Sequence, residues 1–351
     1  TQAWNAYYQL LPSAGERTPR AARPPDPEQQ TEWLARACRL GTGDPDHYYR
    51  LGLLDVQRFL ERAGRGPAAL SLDQVRQALW SGQFATSAAA THWLRQLYGD
   101  DLTLLEQARA HFRRSLQCCP LLGLAYVRLA ELSFLDAPQM PAPPSYGRQA
   151  LLVRPNDPTV CLEVGVQSWR AGDLASAGRC WKRACRLQPD TEWKLLPLLV
   201  EQCSVRDVVT LIPLDFNGLK WLAQEQAKRG RIAAQRYAVA QARTLVADDP
   251  IQSRNPNAWT ALHDLCQEAG LAAEAEECLR RALRLAPTQV GYHLQLVHWL
   301  MDQGLWQEAL DQAHCARARF PGQPEVQRLV AEILGNRPVR AETNARRLNH
   351  S

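Results

Sequence analysis

The chain has 351 residues, 46% of them hydrophobic and 22% charged, a composition of folded domains rather than of disordered chains. Its longest nearly uninterrupted apolar run, Leu195 to Val200, is far short of the roughly 18 residues that a membrane-spanning helix needs. The net charge of +5 sits at the two ends, with Arg17, Arg20 and Arg23 against Glu16 before residue 26 and Arg337, Arg340, Arg346 and Arg347 against Glu342 after residue 336. The body between them is neutral. That excludes the broad basic surface by which proteins track phosphate backbones, and no nucleic-acid partner is expected.

In chain order, residues 1–27 form a Pro/Arg-containing linker with Pro12, Pro19, Pro24, Pro25 and Pro27. Residues 28–120 hold degenerate helical repeats: Tyr48-x-x-Leu51-Gly52 marks the first helix of one unit, and 104–120 (LLEQARAHFRRSLQCCP) reads as the second helix of another. Residues 121–189 follow as repeats, the first of them with a Pro-rich loop from Ala137 to Pro144 that takes up part of its second helix. Segments 158–189 and 256–287, each of 32 residues, superpose without a gap. Counting Pro158 and Pro256 as position 1, both carry Gly at 15 (Gly172, Gly270), Ala at 20 (Ala177, Ala275), Ala at 27 (Ala184, Ala282) and Pro at 32 (Pro189, Pro287). Segment 290–321 keeps the marks at Gly304, Ala309, Ala316 and Pro321, and 216–247 keeps Leu222-Ala223, Gly230 and Ala242. Pro155 to Pro189 and Pro287 to Pro321 are both 34 residues apart. A period of this length is the mark of a repeat array. Residues 216–336 end in a capping helix over 324–334, and 337–351 form a basic tail. Residues 190–215 depart from the pattern: Pro197 and the β-branched run from Val208 to Ile212 predict short, irregular helices there that bend the array.

Each mark has a task in a helix–turn–helix unit. Gly at 15 leaves the first helix in a left-handed conformation, Ala at 20 and 27 lets helices approach, and Pro at 32 stops the second helix. The aromatic at 4 or 24 (Trp259, Trp181) fills the space between the helices. Asp26-Pro27, Asp44-Pro45, Asp157-Pro158 and Asn255-Pro256 each set a capping oxygen before a proline suited to the first helical position.

At these residues the chain resembles the tetratricopeptide repeat family: Trp259-x-x-Leu262, then Gly270, Ala275, Ala282 and Pro287, with Gly165 as the small residue at position 8. The resemblance covers roughly residues 40–336 and implies an all-α superhelical solenoid of antiparallel helix pairs (TPR-like), with an irregular insert near 190–215. It also implies a concave groove formed by first-helix positions 2, 5, 9, 12 and 13, where Trp169, Arg170, Lys220, Lys228, Asp264, Glu268, His298 and Asp302 are the candidate partner-binding residues. Thr159, Leu162, Val166, Asn217, Gln224, Asn257, Thr260, Gln267, Leu294 and Met301 complete that wall, which changes from apolar through basic to acidic. The expected ligand is a peptide or partner helix with an apolar anchor near Trp169. The Lys and Asn clamp by which chaperone-binding members hold a terminal carboxylate is not made, because Gln224 and Ala261 stand where it would need other residues.

The succession from Pro120 through Ala125-Tyr126 and Leu129-Ala130, one strong repeat, and then a degenerate insert leading to Asp215-Phe216 resembles the C-terminal region of bacterial O-antigen ligase-like membrane proteins. That resemblance implies an alternative: a soluble regulatory region of a bacterial membrane glycan ligase or polymerase whose catalytic half is not in this chain. The start at Thr1 without a Met reads as a fragment tethered to a membrane through preceding residues.

No chemistry-bearing constellation stands out, so neither enzyme, cofactor nor metal is expected. No two of the eight histidines are three or four apart; His293 and His298, five apart, point about 140° from one another on a helix. Cys180 and Cys185 share that spacing, Cys161 and Cys266 occupy packing positions, and no Cys-x-x-Cys occurs among the ten cysteines. Adjacent Cys118-Cys119 falls at a helix end. Gly41-Thr42-Gly43-Asp44 lacks the third glycine and the Lys of a phosphate loop and reads as a turn. Thiols inside helical patterns suit a reducing compartment, the cytoplasm or the cytoplasmic face of a membrane.

Overall fold

The computed structural model describes residues 27–39, 43–63, 70, 72–81, 83–135 and 144–336. The linker before Pro27 with the Asp26 cap, the Gly41-Thr42 part of the glycine turn, the Pro-rich loop up to Pro143 and the basic tail lie outside the described residues. Every regular element among those described is helical.

The described residues up to Cys203, with Asp207–Pro213, form one compact unit; Ser204–Arg206 and the described residues from Leu214 form a second. In unit 1, α1 (Pro27–Arg39) packs on α2 (Pro45–Ala63), after which come α3 (Leu72–Trp80), α4 (Ser87–Tyr98), α5 (Leu102–Cys118), α6 (Gly123–Glu131), α7 (Pro144–Val153), α8 (Pro158–Arg170), α9 (Leu174–Leu187) and α10 (Thr191–Gln202). A short α11 (Val205–Leu211) runs through the boundary between the units. Unit 2 holds α12 (Phe216–Lys228), α13 (Ile232–Asp248), α14 (Pro256–Glu268), α15 (Ala272–Leu285), α16 (Val290–Asp302), α17 (Trp306–Arg319) and the capping helix α18 (Pro324–Asn336). Helices pack in pairs, α6 with α7, α8 with α9, α12 with α13, α14 with α15 and α16 with α17, and each pair leans on the next within its unit. This is the tetratricopeptide-like arrangement of antiparallel helix pairs.

The turns follow from a few residues. Asp157 Oδ1 accepts from the backbone N–H of Thr159 at 2.9 Å and of Val160 at 3.1 Å, and Asn255 Oδ1 from Asn257 at 3.0 Å, with Pro158 and Pro256 just inside each helix. Gly172, Gly230, Gly270 and Gly304 all have φ between 66° and 80°. Each lets the following N–H fold back onto the carbonyl five residues earlier: Asp173 to Ser168, Arg231 to Gln226, Leu271 to Cys266 and Leu305 to Leu300, all at 2.9 Å. Ala177, Ala184, Ala275, Ala282, Ala309 and Ala316 are buried at the helix crossings. Position 20 of the α12–α13 pair is Gln235 instead; its side-chain amide donates to the Glu268 carbonyl at 3.1 Å and so ties that pair to the next.

Position 8 meets position 24 twice. A Cβ on Gly165 would collide with the indole of Trp181, whose N–H donates to the Leu162 carbonyl at 3.2 Å. A Cβ on Gly52 would stand 2.6 Å from Phe112 Cε1. So α2 and α5, expected in two different units, form one repeat, its two halves separated in sequence by an insertion carrying α3 and α4. The segment after Pro189 also differs from expectation: α10 runs 12 residues with Pro197 inside, while α11 has only 7.

Candidate functional site

The eight predicted groove residues fall into two environments. Trp169 and Arg170 end α8 in unit 1, and both turn inward. Trp169 is half-buried, its ring 6.3 Å from that of Trp181, and its N–H donates to the Cys203 sulfur. The Arg170 side chain is only 10% exposed and lies 3.7 Å from Glu131 Oε1. Leu162 and Val166, the other wall positions of α8, are buried as well. Of the apolar wall expected beside Trp169, Leu162 and Val166 are thus covered by the protein, and Trp169 itself is partly exposed.

What Arg170 joins is a buried ionic cluster. Arg128 Nη1 reaches both carboxylate oxygens of Glu131 at 2.7 Å, and Nη2 lies 3.1 Å from Glu163 Oε1. Gln167 Nε2 donates to Glu131 Oε1 at 2.9 Å, Arg76 Nε to the Glu131 carbonyl at 3.2 Å, and Arg128 to Tyr49. Side chains of four helices, α2, α3, α6 and α8, thus gather around Arg128 and Glu131. Burial pushes the Glu131 carboxyl upward, but Arg128, Arg170 and Arg76, in that order, overcome it and hold it below its usual range. Burial likewise pushes the neighbouring Tyr98 phenol up to about 12.

In unit 2 the first-helix face is open. Lys220 is half-buried and Lys228 exposed on α12, Asp264 and Glu268 are exposed on α14, and His298 and Asp302 are exposed on α16. Two contacts hold the three helices in register: Gln224 Nε2 donates to Glu268 Oε2 at 3.3 Å, and the Tyr292 hydroxyl donates to Asn257 Oδ1 at 2.7 Å. Glu225 draws the basic end together, with Lys228 Nζ at 3.4 Å and Arg229 at 3.2 Å.

Two of the histidines bond to groups of unit 2 itself. His263 Nδ1 donates to the Ala275 carbonyl at 3.0 Å; His293 contacts the Pro287 carbonyl and receives the Gln312 amide at 3.0 Å. All ten cysteines are free. Among the described residues no group of three His, Cys, Asp or Glu is placed to hold a metal ion, and no helix is long and apolar enough to cross a membrane.

A tetratricopeptide-like helical-repeat fold with an open face on one unit and a filled face on the other is what these observations define. No family model matches the sequence, and no curated protein matches it. Similar solved structures include the yeast Tom70, with 13% identity over 99% of this chain and 72% of that one at a TM-score of 0.30. The APC/C hetero-tetramer Cut9–Hcn1 matches with 14% identity over 88% of this chain at a TM-score of 0.28, and this chain covers 53%, about half, of the matched chain. PilW, a type IV pilus biogenesis factor, matches with 18% identity over 70% of this chain and 99% of its own at a TM-score of 0.27.

Proposed function

We propose that the protein is a non-catalytic scaffold that binds a peptide or partner helix of another protein along the first-helix face of unit 2. The observation that supports this reading is the exposure of Asp264, Glu268, His298 and Asp302 on adjacent helices whose register is fixed by Gln224–Glu268 and Tyr292–Asn257. A rigid row of exposed polar side chains costs little further ordering when a ligand docks, so more of the contact energy appears as affinity. Lys220 and Lys228 at one edge and the carboxylates beyond them give the face a direction, which favours one polarity of a charged ligand over the other.

The test is a triple reversal, Asp264→Lys with Glu268→Lys and Asp302→Lys, compared with the unaltered chain by quantitative pull-down from its native cell. Helicity is expected to stay unchanged, while at least one partner falls about tenfold or more, the loss of one well-buried anchor. Identical capture by the two folded proteins overturns the assignment of the face.

A further inference from the structure

The repeat of α14 and α15 carries two thiols at one crossing. Counting Pro256 as position 1, Cys266 stands at position 11 on the first helix and Cys278 at position 23 on the second. The same two positions hold Ser168 and Cys180, Gln226 and Ala238, and Leu300 and Gln312 in the repeats that begin at 158, 216 and 290. Packing of α14 on α15 buries Cys266 and Cys278 together, at 0% and 1% exposure. Their sulfurs are in hydrogen-bond contact, with the Cys278 S–H donating to Cys266.

The contact makes the two sulfurs unequal. Donation by Cys278 holds the Cys266 thiol below its ordinary range against the opposing effect of burial, whereas that same bond, with burial added, pushes the Cys278 thiol up. A thiolate is the form that attacks an oxidant, so Cys266 is the nucleophile of the pair and Cys278 the proton-bearing neighbour. Burial also selects the oxidant. A disulfide of glutathione size cannot touch sulfurs so enclosed unless the repeat unfolds, whereas hydrogen peroxide, only two oxygens long, enters through small local openings.

We propose that Cys266 and Cys278 are a peroxide-responsive dithiol that closes to a reversible disulfide between α14 and α15. The Cys266 thiolate attacks one peroxide oxygen; an S–O bond forms, the O–O bond breaks, and the released hydroxide takes up the proton that Cys266 gave away and leaves as water. The Cys278 sulfur then attacks the sulfenic sulfur of Cys266, the S–S bond forms, and the hydroxyl departs with the Cys278 proton as a second water. Two thiols lose two electrons, and one peroxide is reduced to two waters. A disulfide needs its sulfurs about 2.05 Å apart, a short approach for thiols already in contact. The closed bond ties the helix that carries Asp264 and Glu268 to its partner across the Gly270 turn.

Both cysteines fall in one tryptic peptide, residues 255–280, so the bond is readable by mass. The folded full chain is treated with hydrogen peroxide, unfolded in the presence of N-ethylmaleimide, digested and weighed. Peptide 255–280 is expected to lose two hydrogens and take up no maleimide, and dithiothreitol, itself oxidised to its cyclic disulfide, should restore both thiols. In Cys278→Ser the sulfenic acid meets no thiol, so dimedone should label Cys266; in Cys266→Ser it should leave Cys278 unlabelled. Amides of α14 and α15 should exchange about tenfold or more slowly in the oxidised chain than in the reduced one, as a cross-link over the turn requires. A peptide 255–280 that still carries two maleimide groups once exposed Cys118 and Cys315 are oxidised, or a bond that forms only in urea, overturns the proposal. Dimedone on Cys278 instead of Cys266 overturns the order of attack, and unchanged exchange overturns the tie between the helices. Should either variant lose helicity, the unaltered chain decides.

Discussion

Gly52 and Gly165 give up a side chain so that Phe112 and Trp181 can lie flat against a neighbouring helix. Gly165→Ala should therefore lower the free energy of unfolding by about 1–3 kcal/mol, the usual range for overpacking a filled core. Gly291, in α16 with nothing within 4 Å of its missing Cβ, should respond with the opposite sign, gaining about 0.4–1 kcal/mol on Gly291→Ala. Urea denaturation of the two variants checks both signs. Glu131 carries a pH dependence. Its carboxyl is held below the usual value by Arg128, Arg170 and Arg76 against the opposing effect of burial, so the stability it contributes is complete above about pH 4.3 and is lost as the pH falls through its lowered value. Glu131→Gln should remove this part of the acid limb and destabilise unit 1 by about 3–5 kcal/mol at neutral pH, as breaking a buried ion pair does. Thermal melts from pH 3 to 7 read both effects. Burial also pushes the Cys180 and Cys185 thiols up to about 11. Iodoacetamide at neutral pH should label exposed Cys118 and Cys315 well before either, a ranking that mass spectrometry resolves.

At the scale of elements, the turn is the unit that the sequence spells out, because its causes are local. Asp157 and Pro158, Asn255 and Pro256, and the glycines at position 15 each act on backbone groups within five residues. Asp157→Ala should cost about 1 kcal/mol of stability through the loss of one helix cap, again read by urea titration. The split repeat was only half legible. Pro45 and Gly52 carry the first-helix spacing, and Ala108, Phe112 and Pro120 carry the second-helix spacing, but a fixed period cannot join them across the insertion. Their contact is a fact of packing. The same limit applies to the site. Position in a repeat tells which helix face a residue occupies, but exposure depends on what packs over that face from elsewhere in the chain. Leu162 and Val166 hold wall positions in α8 and are buried, whereas Asp264 and His298 hold wall positions in α14 and α16 and face solvent. The ionic cluster escaped the sequence for the same reason: Arg76, Arg128 and Glu163 have no spacing in common and meet only when α3, α6 and α8 fold together.

For the whole molecule, the two units put one repeat design to different uses. Unit 1 carries an insertion and buries much of its first-helix face, with Leu162, Val166 and an ionic cluster of Arg128, Glu131, Glu163 and Arg170. Unit 2 keeps short turns, has no insertion between its paired helices, and leaves the equivalent face polar and open. In repeat proteins stability is mostly a sum over neighbouring pairs, so a face can be altered without unfolding the stack provided the crossings are spared. The most direct measurement is therefore site-specific photocrosslinking in the native cell, with a benzophenone amino acid placed at Gln267 or His298 on the first-helix face and, for comparison, at Arg243 or Glu277 on the second helices of unit 2; all four are exposed. The account predicts a partner adduct from Gln267 and His298 and none from Arg243 or Glu277. Adducts confined to Arg243 and Glu277, or equal from both faces, would contradict it.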